Sequence, residues 1–308
     1  MSIWTGNSSG AWLDSKKLIH LRKLLNCERK KQENPSNQNT FYIVGVDVAR
    51  YSANTAIMVI KVIPNKNGFK KNVTYTEVIH GANYITEQAP RLKKLIQLYN
   101  PREIVIDGNG PGIGLLDAMS LPSVDQNTGE VFPAYYAFNN DHHLPSEMKL
   151  EVEEPKPQFN AIIYDMKAGA SNNDAIHANL YTQLSNGSVA FLASERIVKD
   201  KLLATKKGQK MSLYDRRVFL LPYEMTSRLI DELANLKLKP TGANNQFSIE
   251  RISRSIEKDR VSALEYGLYR VKYYEDKAAK NAKKRDIGKY IFFSPRGGDM
   301  SGRKTTRL

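Results

Sequence analysis

Two aspartates stand in apolar segments where an unpaired carboxylate would be unfavourable to bury. Asp47 lies in FYIVGVDVAR (residues 41–50), and Asp107 ends REIVID (residues 102–107), just before GNGPGIG. Two carboxylates held side by side raise each other's pKa unless a cation lies between them. Mg²⁺ prefers oxygen ligands, usually one or two carboxylates with water and a substrate phosphate. The pair therefore indicates metal-assisted phosphodiester hydrolysis, in which two ions hold the attacking and leaving oxygens.

A third acid usually completes such a site, and Asp259 is the best candidate because it lies near the start of a long predicted helix (257–284). A helix start can direct an acid back towards a sheet. Each acid also has a simpler interpretation. Asp47 could be satisfied by an arginine such as Arg50. Asp107 could cap the helix that follows it, and Asp259 could interact only with the helix dipole.

The charge of the chain favours a polyanionic partner. Lys and Arg total 46 against 32 Asp and Glu, which gives a formal net charge of +14. Such an excess is typical of proteins that bind nucleic acid. Candidate contacts with the DNA backbone are Arg50, Asn109, Lys206, Lys207 and Lys210. A solvated basic surface without a specific site is the alternative.

The remaining totals exclude several classes of protein. No apolar run approaches the length of a membrane span, and residues 1–25 lack the core of a signal peptide. Cys27 is the only cysteine, which excludes an internal disulfide or a multi-cysteine zinc site and fits a reducing cytosol.

Hydrophobic periodicity predicts the strands and helices that carry the acids. Predicted strands cover 41–48, 55–63, 73–82, 102–107 and 134–138, and predicted helices cover 86–100 and 110–119. Three strands with short connections predict an antiparallel meander, and the later strands arrive through helices and should be parallel to a neighbour. The fold class is therefore α/β, with a mixed sheet of five or more strands and helices on both faces. Asp47 and Asp107 become neighbours if the first strand is central.

Further along the chain, helices are predicted over 172–187, 222–239 and 257–284, strands over 188–193 and 245–252, and a basic turn at 206–210. Before the sheet, LDSKKLIHLRKLLNC (13–27) predicts a helix with Ser15 as its N-cap, and 28–39 predicts a flexible linker. The predicted organisation is an N-terminal helix and linker (1–40), a catalytic domain (41–275) and a basic C-terminal tail (276–308).

Three segments carry a family resemblance: YIVGVDVARYSANTAIMVI, EIVIDGNGPGIGLLDAM and KDRVSALEYGLY. In this order and spacing, over roughly residues 41–275, they resemble the nuclease domain of the large terminase subunit of tailed bacteriophages. The resemblance implies an RNase H-like fold and an endonuclease that cuts concatemeric viral double-stranded DNA during packaging. It gives Asp47 the role of bridging ligand for two Mg²⁺ or Mn²⁺ ions, with Asp107 and Asp259 as the second and third ligands.

The chain departs from the family pattern at the third ligand. The family often has a second acid three residues later, where this chain has Ser262, so Glu257 or Glu265 could substitute. The chain also lacks the phosphate-binding loop of the packaging ATPase, and it resembles the nuclease half alone. By resemblance, its partners would be the packaging ATPase region, the portal protein and the small terminase subunit, in the host-cell cytoplasm.

The sequence offers three alternatives to the packaging nuclease. A junction resolvase shares the RNase H-like fold and would prefer four-way junctions to linear duplex. An actin-like ATPase also begins with an acid in a strand, but it needs a glycine-rich turn there, and VARYSANT (48–55) contains no glycine. A DNA- or portal-docking module with vestigial acids is the non-enzymatic alternative.

Overall fold

The structure is a computed structural model that describes residues 11–34, 36–49, 54–66, 68–80, 83–126, 128–140, 144, 154–241 and 246–290. Its strands are β1 (Arg22–Leu24), β2 (Phe41–Asp47), β3 (Asn54–Asn65), β4 (Gly68–His80), β5 (Glu103–Asp107), β6 (Ser123–Val124), β7 (Val131–Phe132), β8 (Tyr136–Ala137), β9 (Ala161–Met166), β10 (Val189–Leu192), β11 (Leu236–Thr241) and β12 (Gln246–Arg251).

Its helices are α1 (Ser15–His20), α2 (Ala89–Tyr99), α3 (Pro111–Met119), α4 (Ala170–Ser185), α5 (Glu195–Leu203), α6 (Lys206–Lys210), α7 (Leu213–Ala234) and α8 (Asp259–Tyr290). A π-helical turn (Tyr84–Gln88) leads into α2, and a 3₁₀ turn (Pro157–Phe159) precedes β9. Among the described residues, no helix has the length and apolar character needed to cross a membrane.

Eight strands form one mixed sheet in the order β1-β10-β4-β3-β2-β5-β9-β8. Strands β2, β3 and β4 are antiparallel neighbours, whereas β5 is parallel to β2 and β9 is parallel to β5. An RNase H-like sheet has three antiparallel strands followed by parallel strands, and the first strand of the antiparallel set is central. Strand β2 is that strand in this sheet. The predicted fold class is confirmed, and so is the predicted pairing of the strands that carry Asp47 and Asp107.

Helices cover both faces of the sheet, which explains why its central strands are apolar almost throughout. On one face, Ile43, Met58 and Val105 pack with side chains of α4, α7 and α8. On the other face, Val44 and Ile106 pack with side chains of α2 and α3. Because side chains alternate along a strand, the acid that ends β2 lies on the α8 side.

Helix α8 crosses β2 unusually closely, and Gly45 permits the contact. A Cβ atom at this position would lie 2.0 Å from the carbonyl oxygen of Ala263 and 3.0 Å from the nitrogen of Gly267. Any larger residue would push the helix off the sheet. The close crossing brings the first turns of α8 next to the end of β2.

The N-terminal region differs from its prediction. Helix α1 ends at His20 and its N-cap is Asp14 rather than Ser15, and the next residues form β1, which pairs with β10. The segment expected to be a flexible linker makes contacts with α2 and with the sheet: Lys31 N donates to Leu98 O of α2 at 2.8 Å, and Lys61 Nζ of β3 lies 2.8 Å from Glu28 Oε1. The division of the chain at residues 40 and 275 otherwise stays a prediction.

Several other boundaries differ. The apolar segment 161–166 was missed and forms β9, whereas the predicted fifth strand shrinks to β8 at the sheet edge. The predicted basic turn is the short helix α6, and α7 begins nine residues before its predicted start and contains Pro222. Helix α8 continues to Tyr290, six residues beyond its predicted end at residue 284. Residues 291–308 lie outside the described part of the chain.

Candidate active site

The structure brings Asp47, Asp107 and Asp259 to one edge of the sheet. Asp47 and Asp107 end two neighbouring parallel strands, so both carboxylates occur where the carboxyl ends of parallel strands meet. Asp259 is the first residue of α8, which crosses β2 at Gly45. The charges of Asp259 and Asp107 both act on Asp47. The sequence predicted this convergence, while the role of the acids as metal ligands stays a prediction.

Electrostatics at this edge are dominated by negative charge removed from water. Burial raises the pKa of Asp47 well above its usual range, and the charges of Asp259 and Asp107 raise it further. A nearby ammonium group, that of Lys258, and hydrogen bonding with Ser262 oppose this rise in the pKa of Asp47. The opposing groups do not cancel it, so ionising Asp47 calls for additional positive charge.

Asp107 is held by hydrogen bonds from both sides. The Tyr266 hydroxyl of α8 donates to Oδ2 at 3.0 Å, and the backbone N–H of Asn109 donates to Oδ1 at 3.0 Å. Burial raises the pKa of Asp107, whereas these donors lower it. Their effect is to fix the orientation of the carboxylate and to favour its ionised form.

Asp259 is positioned by a buried ion pair behind it. The Glu232 carboxylate of α7 accepts the backbone N–H groups of Arg260 at 3.0 Å and Val261 at 3.1 Å, and it pairs with the Arg260 guanidinium. Glu232 therefore caps the start of α8 from another helix. Burial raises the pKa of Asp259, and the charge of Glu257 raises it further.

The acids that could replace Asp259 have other partners. Glu257 accepts a hydrogen bond from Asn54 Nδ2 at 2.9 Å. Glu265 is buried beside His177, with 2.8 Å between Oε1 and Nδ1. Ser262, which stands where the family often has an acid, lies close enough to Asp47 to lower its pKa, and its hydroxyl donates to Lys258 O at 3.3 Å. Within the described ranges, no three or more Asp, Glu, His or Cys side chains lie close enough to share one metal ion.

The predicted DNA contacts are spread over the molecule. Arg50 lies outside the described residues. Asn109 lies beside Asp107, and its side-chain nitrogen donates to Ala168 O at 2.7 Å. The three lysines Lys206, Lys207 and Lys210 are exposed on α6. This helix packs on α5, which follows β10, and β10 is separated from β2 by β4 and β3. All five contacts stay predictions.

Tyr266, Lys258 and Glu232 contact or influence the three acids but were not predicted from the sequence. Tyr266 lies seven residues after Asp259, two helical turns along, so helical spacing could have placed it on the same face. Nothing in the local sequence around Glu232 signals that it caps a helix 27 residues later.

Comparisons with known proteins give structural likenesses at low sequence identity. No protein-family model matches the chain, and no curated protein sequence does. The large terminase nuclease from thermophilic phage G20c with bound magnesium has 14% identity and a TM-score of 0.47, over 85% of this chain and 97% of that one. Large terminase nucleases are therefore among the solved structures that this chain resembles.

Two further examples come from different viruses. The nuclease domain of the large terminase of bacteriophage SPP1 with bound Mn has 12% identity and a TM-score of 0.36, over 80% of this chain and 98% of that one. The human cytomegalovirus terminase nuclease domain, soaked with Mn, has 9% identity and a TM-score of 0.42, over 83% and 94%. The strand order of this chain, and not these likenesses, identifies its fold.

Proposed function

We propose that this chain is a metal-dependent DNA endonuclease that cuts concatemeric viral DNA during genome packaging. The observation that carries the proposal is the convergence of Asp47, Asp107 and Asp259 at one sheet edge, where their charges act on one another. A protein that had no use for these acids would gain stability by losing one of them, because like charges removed from water repel.

The donor set suits two Mg²⁺ or Mn²⁺ ions. All three side chains offer carboxylate oxygens, and such ions are usually held by one or two carboxylates together with water and substrate phosphate. Asp47, on which the charges of both other acids act, would be shared by the two ions, and Asp107 and Asp259 would each hold one of them. When bound, the ions supply an activated water and neutralise charge on the leaving oxygen.

The protein's own groups prepare this site. Tyr266 and the Asn109 N–H hold the Asp107 carboxylate in one orientation. The Glu232 cap holds the start of α8, and with it Asp259. Lys258 lies close enough to Asp47 to favour its ionised form. A site held in this way needs little reorganisation free energy when the substrate binds.

The basic excess supports binding to the DNA backbone, which is weakly sequence-specific and salt-sensitive. In this proposal the partners are the packaging ATPase region, the portal protein and the small terminase subunit, and the reaction takes place in the host-cell cytoplasm. A junction resolvase with the same acids is the enzymatic alternative, and the choice of DNA substrate separates the two.

The test is cleavage of supercoiled plasmid and of a four-way junction with Mg²⁺, Mn²⁺ or EDTA. The variants are Asp47→Asn, Asp107→Asn and Asp259→Asn. Asp276→Asn is the control, since this acid lies on α8 with 52% of its side chain exposed, paired with Lys272. We expect metal-dependent nicking that the three site variants lose and the control retains.

Two other results would redirect the assignment. Preference for the junction over plasmid would favour a resolvase. Normal DNA binding without cleavage in either metal, by wild type and variants alike, would favour a docking module whose acids are vestigial.

A further inference from the structure

A lysine continues the row of strand ends that the acids begin. Strands β2, β5 and β9 are adjacent and parallel, and Asp107 is paired in register with Met166. Asp47 and Asp107 end the first two of these strands, and Lys167 immediately follows the third. The sheet edge therefore presents two acids and then a cation.

The Lys167 ammonium is held in place although most of the side chain is exposed. Its Nζ lies 2.9 Å from Asp165 Oδ2, with 59% of the lysine side chain exposed but only 1% of the aspartate side chain. The same nitrogen lies 3.4 Å from Gly108 O, in the turn that follows Asp107. One side of the ammonium is anchored beside this turn, and the other faces solvent.

The anchor is built into the sheet. Asn139 pairs with the backbone of Asp165, accepting its N–H at 2.8 Å and donating to its carbonyl at 2.9 Å. Asn140 donates to Asp165 Oδ2 at 2.6 Å. A Cβ atom on Gly108 would lie 1.7 Å from Asp165 Oδ1, so this turn accommodates the carboxylate only with glycine.

Stability alone is a poor explanation for this arrangement. An exposed ion pair contributes about 0–1 kcal/mol, whereas burying a carboxylate is costly unless it is fully hydrogen-bonded. Asp165 Oδ1 has no hydrogen-bond partner among the described residues. Helix α4 begins directly after Gly169, so the positive end of its dipole lies on the same side as the ammonium.

We propose that Lys167 is the centre of a phosphate-binding subsite that holds the DNA backbone beside the phosphate to be hydrolysed. This inference rests on the proposed nuclease function. Lysine binds phosphate as a point charge, and contacts of this type fix the register of a protein on DNA. Asp165 is then a positioning residue that directs the ammonium towards the site.

The test is the affinity for a short fluorescent DNA duplex in EDTA, measured by anisotropy over a series of salt concentrations. The variants are Lys167→Ala, Lys167→Arg and Asp165→Asn. Lys70→Ala is the charge-matched control. Lys70 is exposed on β4 near the hairpin with β3, at the sheet edge opposite Asp47.

We expect Lys167→Ala to bind about fivefold more weakly, with a salt slope smaller in magnitude by about 0.9. Lys167→Arg should retain most of the affinity, and Lys70→Ala should change it less than about twofold. Asp165→Asn distinguishes an effect of net charge from an effect of the anchor. Net charge alone predicts tighter binding when an acid is removed, whereas loss of the anchor predicts weaker binding.

The assignment is overturned if Lys167→Ala and Lys70→Ala behave alike, or if folded Asp165→Asn binds more tightly than wild type. Circular dichroism checks folding, and if Asp165→Asn fails to fold, the two Lys167 variants decide. Wild type that neither binds nor cuts DNA contradicts the proposed function. If wild type cuts DNA and Lys167→Ala binds DNA as tightly as wild type does, the proposed subsite is contradicted and the proposed nuclease function is not.

Discussion

Replacing Glu232 by alanine tests whether a buried ion pair positions the third acid. Glu232 and Arg260 are 2% and 3% exposed, and the Glu232 carboxylate accepts two backbone N–H groups at the start of α8. Glu232→Ala leaves the guanidinium buried and two N–H groups without their acceptor. We expect the first turn of α8 to fray and Asp259 to move.

The magnitude follows from what remains after the change. Removing one partner of a buried ion pair costs about 3–5 kcal/mol. Glu257 Oε2 stays 3.2 Å from Arg260 Nη1 with 48% of its side chain exposed, so partial compensation places the loss near about 3 kcal/mol. Large domains lose about 2–4 °C in Tm for each kcal/mol, so the expected fall is about 10 °C.

The assay combines thermal unfolding with plasmid cleavage. Glu224→Ala is the control on the same helix, because its partner Arg228 is exposed and the change should cost less than about 1 kcal/mol. The double variant Glu232→Met, Arg260→Met removes both charges and should regain most of the stability. It should stay impaired in cleavage, because the helix cap is still absent.

A Tm for Glu232→Ala within about 2 °C of that for Glu224→Ala would mean that the buried pair contributes little to stability. Full cleavage by the double variant would mean that the cap does not position Asp259.

Three further predictions concern the acids and the crossing of α8. The pKa of Asp47 is raised in the folded state, so its contribution to stability is present below its ordinary pKa and is lost as pH rises through the raised pKa. In EDTA at neutral pH, Asp47→Asn should therefore unfold at a higher temperature than wild type. This difference in Tm should vanish near about pH 3. Tyr266→Phe should lower metal affinity, measured by calorimetry, about 10- to 100-fold while leaving DNA binding in EDTA unchanged. Gly45→Ala places a methyl group 2.0 Å from Ala263 O and should cost at least about 3 kcal/mol in thermal unfolding, whereas Gly169→Ala, which meets no atom within 4 Å, should be nearly neutral.

Each of these has a contradicting outcome. If the Tm of Asp47→Asn relative to that of wild type increases as pH falls, the pKa of Asp47 is lowered in the folded state and not raised. Unchanged metal affinity in Tyr266→Phe would mean that its hydroxyl does not orient a ligand. Equal stability of Gly45→Ala and Gly169→Ala would mean that α8 does not cross β2 in contact.

Local sequence patterns are sufficient to predict the central sheet and the two acids on it. Period-two and continuous apolar segments are local signals, and the order of strands and helices restricts the topology to a few possibilities. Once β2 is central, Asp47 and Asp107 must end adjacent parallel strands. The local signal failed at β1, where the leucine spacing of a helix continues into residues that pair with β10.

The other groups that meet these acids depend on how the elements pack and are not visible in the sequence. Strand β9 is a six-residue apolar segment that periodicity cannot distinguish from a buried helix, so Lys167 had no visible relation to Asp107 until β9 was placed beside β5. The Glu232 cap joins two helices, and it exists because α7 and α8 pack together. Local patterns specify elements, but a site needs side chains whose distances depend on how these elements pack.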